Sequence, residues 1–263
     1  MTKNLKKGEL VGVELSKTFS QKGQPPELVL NDCSFHFEPE MLNVVMGTSG
    51  CGKSTLAHIL SGYVKPDSGK LLCDGETING SSSDRLMVFQ ETSLWPWMTV
   101  QNNVIFGPLS RGISRKVAIE SADKLLSRFG LNEFKDKYPN QLSGGMMRRA
   151  ELAQALVNSP KVMILDEPFR GLDVMTRELM QEYYLKLFED TKLSTVFITA
   201  ELEEALFLAD RIFIMSDQPG RIVKVIDVDL PRPRDVSCLT TKRYAELEQE
   251  ALAALYIGRE DAL

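Results

Sequence analysis

The segment Gly47-Thr48-Ser49-Gly50-Cys51-Gly52-Lys53-Ser54-Thr55 constrains this chain more than any other part of it. It reads as a glycine, four residues, then Gly-Lys-Ser. An apolar run, Leu42-Asn43-Val44-Val45-Met46, precedes it, and a stretch of helical character from Ser54 to Leu60 follows, ending near Gly62. A short apolar run suits a strand buried on both faces. The segment must therefore turn a buried strand into a helix within a few residues. Glycines permit the turn because they accept backbone angles that other residues avoid. The turn aims backbone N–H groups inward, and the helix adds the positive end of its dipole. Such a cradle suits a chain of phosphates. In it Lys53 reaches the β- and γ-phosphates, and Ser54 stands where a hydroxyl ligates magnesium.

A buried strand needs partners. Further candidates are Leu86 to Phe89, Val162 to Leu165, Thr195 to Thr199 and Ile212 to Met215, and helical patterns separate the last three. That alternation predicts a mainly parallel sheet with helices on its faces. The opening region reads differently. Leu10 to Leu15 looks like a strand; Cys33, Phe35 and Phe37 alternate with Ser34, His36 and Glu38; Leu71 to Gly75 enters an Asp-Gly turn. These features predict an antiparallel β subdomain. Thr92 to Ser159 is mostly helical in pattern and reads as an inserted α-helical subdomain. Pro231-Arg232-Pro233-Arg234 then breaks the chain, and Tyr244, Leu247, Ala251 and Leu255 share one face of a terminal amphipathic helix. A length of 263 residues suits one large α/β domain with a subdomain. The expected organisation is a domain over residues 1–230, with its helical insertion at about 92–159, and a C-terminal extension over 231–263.

A formal net charge of −5 speaks against a general nucleic-acid surface. Cys33, Cys51, Cys73 and Cys238 lack metal-ligand or redox-motif spacing, and no apolar run follows the basic start Met1 to Lys7, so the expected setting is a reducing cytoplasm. Thr92 to Ser110 carries no charge, yet it holds Pro96, Gln101, Asn102, Asn103 and Pro108, which a lone span cannot hide in hydrocarbon. Any membrane part is expected to come from another subunit.

Two more segments carry chemistry. Val162-Met163-Ile164-Leu165 ends in Asp166 and Glu167. Asp166 stands where a carboxylate holds magnesium through water, and Glu167 where one polarises an attacking water. Leu142-Ser143-Gly144-Gly145 precedes a helix from Met146 to Leu156 and makes a second anion site at a helix N-terminus.

With these three elements in this order, the chain resembles the ABC transporter ATPases. Ser143-Gly144-Gly145 looks like their signature motif, 90 residues after Lys53 and 23 before Asp166. The resemblance covers nearly the whole chain. It implies the fold of a P-loop ABC nucleotide-binding domain, with ATP and Mg2+ as ligands. Gln90 looks like the Q-loop glutamine, which contacts magnesium and joins the helical subdomain. Gly171-Leu172-Asp173 looks like the D-loop, and Phe19 like the aromatic that stacks on adenine, although Phe19 reads equally well as core. The nucleotide set implied is Phe19, Gly47, Ser49, Gly50, Cys51, Gly52, Lys53, Ser54, Thr55, Ser143, Gly144, Gly145 and Asp173. The metal set is Ser54, Gln90 and Asp166, and the catalytic set is Glu167, Gln90 and Lys53.

Trp95-Pro96-Trp97-Met98-Thr99-Val100, Tyr138-Pro139-Asn140-Gln141-Leu142-Ser143 and the Pro231–Arg234 tail resemble the nitrate/sulfonate/taurine importer subgroup. This implies a two-ATP sandwich dimer at the cytoplasmic face of a membrane. Its partners are a second ATPase subunit (the same chain or another), transmembrane permease subunits and a solute-binding protein, with no nucleic acid. The Trp95–Met98 segment reads either as a contact with the permease or as packing inside the helical subdomain. Two departures stand out. Ile198-Thr199-Ala200-Glu201 has alanine where the family usually has a histidine that contacts the γ-phosphate, while Glu203, Glu204 and Ala205 keep the spacing. Neither His36 nor His58 lies near this point in the chain. Arg148 replaces a usual glutamine beside Arg149. Other readings stay open: an impaired half of a heterodimeric pair, or an ABC ATPase acting on ribosomes or DNA. The latter usually have two cassettes or a long inserted coiled coil, and this chain has one cassette and only the 90-residue gap.

Overall fold

The computed structural model describes residues 7–20 and 22–260, excluding the side chains of 259 and 260, so most of the basic start lies outside the described residues. In chain order the strands are β1 (Leu10–Phe19), β2 (Glu27–Phe37), β3 (Leu42–Met46), β4 (Ser68–Cys73), β5 (Glu76–Thr77), β6 (Arg85–Val88), β7 (Val162–Asp166), β8 (Ser194–Thr199), β9 (Arg211–Met215) and β10 (Ile222–Asp227). The helices are α1 (Lys53–Ser61), α2 (Val100–Ser110), α3 (Arg115–Arg128), α4 (Gly144–Leu156), α5 (Val174–Thr191), α6 (Leu202–Leu208) and α7 (Lys242–Glu260).

Six strands form one sheet in the order β10-β9-β3-β8-β7-β6. All pairs are parallel except β10 with β9. β3, β7 and β8 are buried along their whole length, as continuous apolar runs in a doubly covered sheet must be. Their side chains alternate between two cores. Val45, Ile164, Val196 and Ile198 face Leu56 and Leu60 of α1 and the Phe35–Phe37 face of β2. Val44, Leu165 and Phe197 face the side that holds α4, α5 and α6. The second sheet is antiparallel, in the order β2-β1-β4-β5. Asp74 and Gly75, both at positive φ, make the two-residue turn between Cys73 and Glu76.

The fold matches the expected α/β class, and particular elements differ. The first strand runs to Phe19 rather than Leu15, and Phe89 falls just past β6. β10 was missed because it is an edge strand: Lys224, Val225 and Asp227 are exposed and leave little apolar period to read.

The helical insertion holds α2, α3, α4 and two single 3-10 turns, Asn132–Phe134 and Pro139–Gln141. Its entry loop is fixed by the fully buried Asn103. That amide donates to the carbonyls of Trp95, Met98 and Thr99, each at 3.1 Å, and accepts from the Trp95 N–H at 2.8 Å. A buried polar side chain with every group paired specifies one loop conformation. Among the described residues no helix is long and apolar enough to cross a membrane.

The Pro-Arg-Pro-Arg tail works as a clasp. The Arg234 guanidinium donates to the carbonyls of Leu206, Phe207 and Ala209 at the end of α6, and of Val228 and Leu230 beyond β10. Positive charge there complements the negative end of the helix dipole. Burial lowers this guanidinium's pKa to about 10. Arg232 holds Asp210 at 2.7 Å and the Leu208 carbonyl at 2.8 Å. α7 then lays Tyr244, Leu247, Ala251 and Ala254 into the same core as the parallel sheet.

Candidate active site

Because β3, β8, β7 and β6 run parallel, their C-terminal ends lie along one edge. Register puts Met46 beside Thr199, Ile198 beside Asp166, and Leu165 beside Val88. The residues just past these ends are Gly47, Ala200, Glu167 and Gln90. Topology alone thus gathers residues that lie up to 153 positions apart in the chain.

The phosphate loop leaves β3 at the buried Gly47. Gly50 and Gly52 take φ of +85° and +103°, which favour glycine, and nothing lies within 4 Å of where a Gly50 side chain would begin. Gly52 caps α1, and its own missing Cβ would strike Leu30 and Val29, so the loop also needs glycine for space. The Lys53 ammonium is buried and folds over the loop, donating to Gly47 O at 2.8 Å and Thr48 O at 2.7 Å. Cys51 faces inward, and burial raises its thiol pKa, so it serves as packing. Ser49 and Ser54 are exposed and Thr55 is half-buried.

Asp166 ends β7 and is 4 % exposed. Its Oδ1 is fully enclosed and has no hydrogen-bond partner in the protein. Burial raises its carboxyl pKa, opposed first by the Ser54 hydroxyl. A buried charged oxygen left unpaired is costly, so the residues present fit a divalent cation at this point. Glu167 follows at φ +42°, a left-handed angle uncommon for such a residue. Its N–H is fixed by the Ile198 carbonyl at 2.9 Å, and its Oε2 meets the Arg170 guanidinium at 2.8 Å. Glu167, Arg170, Ser49, Thr199 and Ala200 line a common cavity of about 190 Å³, together with Arg177, Glu201 and Glu204.

Other predicted residues lie elsewhere. Ser143 caps α4, accepting from Met146 N–H at 3.3 Å, and is exposed with Gly144. These residues do not line the cavity; added side chains at Gly144 and Gly145 would meet Leu172 and Thr176. Asp173 caps α5 through both carboxylate oxygens on Thr176, which lowers its pKa. Phe19 is 39 % exposed, with the Lys17 ammonium 5.4 Å from its ring centre, so the core reading of Phe19 is excluded. His36 pairs with Glu9 on a wet strand face, and the His58 ring lies 6.3 Å from Phe89, so neither stands in at position 200.

Sequence reasoning missed Arg170 and Asp217. Arg170 stands three residues past Glu167 in a tight turn, a spacing that signals a possible pair. Asp217 accepts from the Thr48 hydroxyl, but 169 residues separate the two and no local pattern announces it.

Comparisons with known proteins agree with this geometry. The family description "ABC transporter" matches residues 30–170. The nitrate import ATP-binding protein NrtD of Synechocystis is 41% identical over 238 residues, covering 89% of this chain and 90% of that protein. The taurine import ATP-binding protein TauB of Roseobacter denitrificans is 44% identical over 195 residues, covering 74% and 73%. Among solved structures, the dimeric post-hydrolysis state of the ATP-binding cassette MJ0796 bound to ADP and Pi aligns with a TM-score of 0.74 at 26% identity, covering 84% of this chain and all of that one. The match over more than half of the chain and these relatives together show that the chain belongs to the ABC transporter family, as an ATP-binding cassette of the ATPase type.

Proposed function

We propose that this chain is the ATP-hydrolysing subunit of an importer, and that it works as a sandwich dimer on separate permease subunits at the cytoplasmic face of a membrane. The observation that carries the ATPase part is the meeting, at one sheet edge, of a buried ammonium, a partnerless buried carboxylate oxygen and a second carboxylate. Import and a solute-binding protein are proposed from the two relatives named as import proteins.

Each residue has a part. The amides from Gly47 to Ser54 hold the phosphates, and Lys53 turns from its loop carbonyls to the β- and γ-phosphate oxygens. Ser54, Asp166 and Gln90 would hold Mg2+, which when bound would supply positive charge to the phosphates. Glu167 takes a proton from the attacking water. Phe19, with its exposed ring, stacks on the adenine. Ser143 to Gly145 and Asp173 stand apart from the cavity, so they complete the site of a second copy facing this one. Ala200 supports one variant of this reading, in which the partner is a different ATPase chain and only the site built on this one turns over slowly.

Lys53→Ala is expected to weaken ATP binding about 10- to 100-fold, the loss of charged hydrogen bonds to phosphate. The fold should survive, because Lys53 bonds only to its own loop. Titration calorimetry beside circular dichroism checks both halves. Equal ATP affinity in mutant and parent sinks the assignment.

The two readings of the Trp95–Met98 segment divide between its tryptophans. Trp95 packs edge-on against Phe106, with ring centres 4.2 Å apart, whereas Trp97 is 69 % exposed. Trp95, Phe106, Tyr63 and Ser93 line a groove of about 260 Å³ between the sheet and the helical insertion. We assign this groove and Trp97 to the permease. Exposed tryptophan anchors often contribute about 2 kcal/mol or more to an interface. Trp97→Ala should therefore reduce the yield of the assembled transporter and its transport per ATP. Unchanged yield and transport remove the permease from this face.

A further inference from the structure

Where the chain leaves the sheet edge after β6, it is gripped by two buried charges from α4. Arg148 donates to the carbonyl of Phe89 and to the carbonyl of Gln90, each at 2.7 Å. Glu151, one turn on, accepts from the Ser93 N–H at 2.5 Å and from its hydroxyl at 3.2 Å. The two charges meet at 2.8 Å with side-chain exposures of 8 % and 2 %. Between them they hold both ends of the four-residue segment Gln90–Ser93. Glu151 also lines the groove that Trp95 lines, and Ser143 caps the N-terminus of the same helix.

A buried ion pair is seldom a good source of stability, since desolvation cancels much of the attraction. An apolar pair of similar volume would fill the space without desolvating two charges. What an apolar pair cannot do is bond to two consecutive backbone carbonyls and to an amide beyond them. The fork of a guanidinium supplies parallel donors in a fixed plane. The pair therefore specifies where the backbone of Gln90 stands relative to α4.

We infer that Arg148 and Glu151 are positioning residues that bolt Gln90 to the signature helix and to the groove that Trp95 lines, so that the metal-binding position of Gln90 follows the seating of α4. The inference rests on the proposed role of Gln90 at the metal. A change at the groove or at Ser143 moves Gln90 with it, because no flexible residue lies between Gln90 and the guanidinium. The departure from glutamine at Arg148 is then matched by the acid at Glu151, which neutralises it and carries the grip on to Ser93.

The test measures metal binding rather than turnover. Mn2+ is titrated by electron paramagnetic resonance into the chain saturated with a non-hydrolysable ATP analogue. Arg148→Met should weaken Mn2+ by about tenfold or more, the usual loss when a group that orients a ligand is removed. Nucleotide affinity in chelator should stay as it is. Arg148→Gln, which keeps one donor, should recover part of the Mn2+ affinity. Arg148→Met alone leaves Glu151 buried without its partner and should lower the melting temperature. The double variant Arg148→Met with Glu151→Leu should recover part of the melting temperature but not the Mn2+ affinity. Mn2+ affinity that recovers together with the melting temperature overturns the inference and makes the pair structural. Gln90→Ala separates the two layers. If it weakens Mn2+ while Arg148→Met does not, the bolt fails and the role of Gln90 stands. If Gln90→Ala leaves Mn2+ unchanged, the role of Gln90 fails, and the inference with it.

Discussion

Replacing Glu167 by glutamine should lower ATP turnover by about 10²- to 10⁴-fold, the range for loss of a positioned proton acceptor. Glutamine keeps the shape of the side chain and an oxygen for Arg170, so the turn that holds it should persist. The N–H bond to Ile198 is made by the backbone and is indifferent to the substitution. In the proposed site, phosphate binding falls to the loop amides and Lys53, none of which the change touches. ATP affinity should thus remain near that of the parent while hydrolysis nearly stops, and ATP-bound dimers should accumulate. Single-turnover phosphate release, with calorimetry and size-exclusion chromatography in ATP, reads all three. Turnover within a few-fold of the parent would falsify the assignment of Glu167 as the proton acceptor.

Ala200→His is expected to act in the opposite direction. Position 200 lies between the ends of β3 and β7, in the cavity that also holds Glu167 and Ser49. Alanine offers no donor there. A preorganised donor to charge developing in the transition state is commonly worth about 2.7–4 kcal/mol, or roughly 10²–10³ in rate. The charged groups around the cavity are Glu167, Arg170, Arg177, Glu201 and Glu204. Arg170 is engaged by Glu167, and the three carboxylates repel a phosphate; Arg177, whose Nη2 donates to the Leu172 carbonyl at 3.4 Å and whose Nε has no partner, is the remaining cationic donor on the cavity wall, and none of these groups stands at position 200 itself. An imidazole at 200 should raise turnover of a homodimer toward the upper end of that range, with ATP affinity changed much less. Steady-state ATPase of the assembled transporter decides the matter. If the parent already turns over rapidly and histidine adds nothing, Ala200 is not the weak point. In a pair with a different chain the gain should appear at only one of two sites, which makes the same substitution a count of the sites built on this chain.

Much of this site could be read from the chain because its parts are local. The glycine spacing, the buried strand before it and the helix after it lie within about twenty residues, and each demands the next. Asp166 and Glu167 are legible because a wholly apolar strand leads directly into them. Residues that face the site from a distance were harder to read. Asp217 reaches Thr48 only because β9 pairs with β3, and sheet order is not written in any single segment. Phe19 was ambiguous because an aromatic at the end of a strand serves a core and a ring-stacking platform equally well; its exposure, a tertiary property, excludes only the core. The tryptophans were ambiguous for a related reason. Asn103 ties down the loop from eight residues away and sends one indole inward and the other out. The meaning of Arg148 was hidden because, beside Glu151, its partners are the backbone carbonyls of Phe89 and Gln90, which leave no trace in residue identity.

The clasp at the chain's C-terminal end carries a practical consequence. α7 packs along the sheet, and in its last turn the Gly258 carbonyl accepts from the Asp217 N–H at 3.0 Å, while the Asp217 carboxylate accepts from Thr48 in the phosphate loop. The approach is close: a side chain at Gly258 would meet the backbone of Ser216 at 3.2 Å. Cargo fused beyond this helix, whether a purification handle or a sensing module, would pull on a lever whose far end is the nucleotide cradle. An inert-looking fusion at that end would be a modification of the enzyme, and a ligand-operated one would be a throttle.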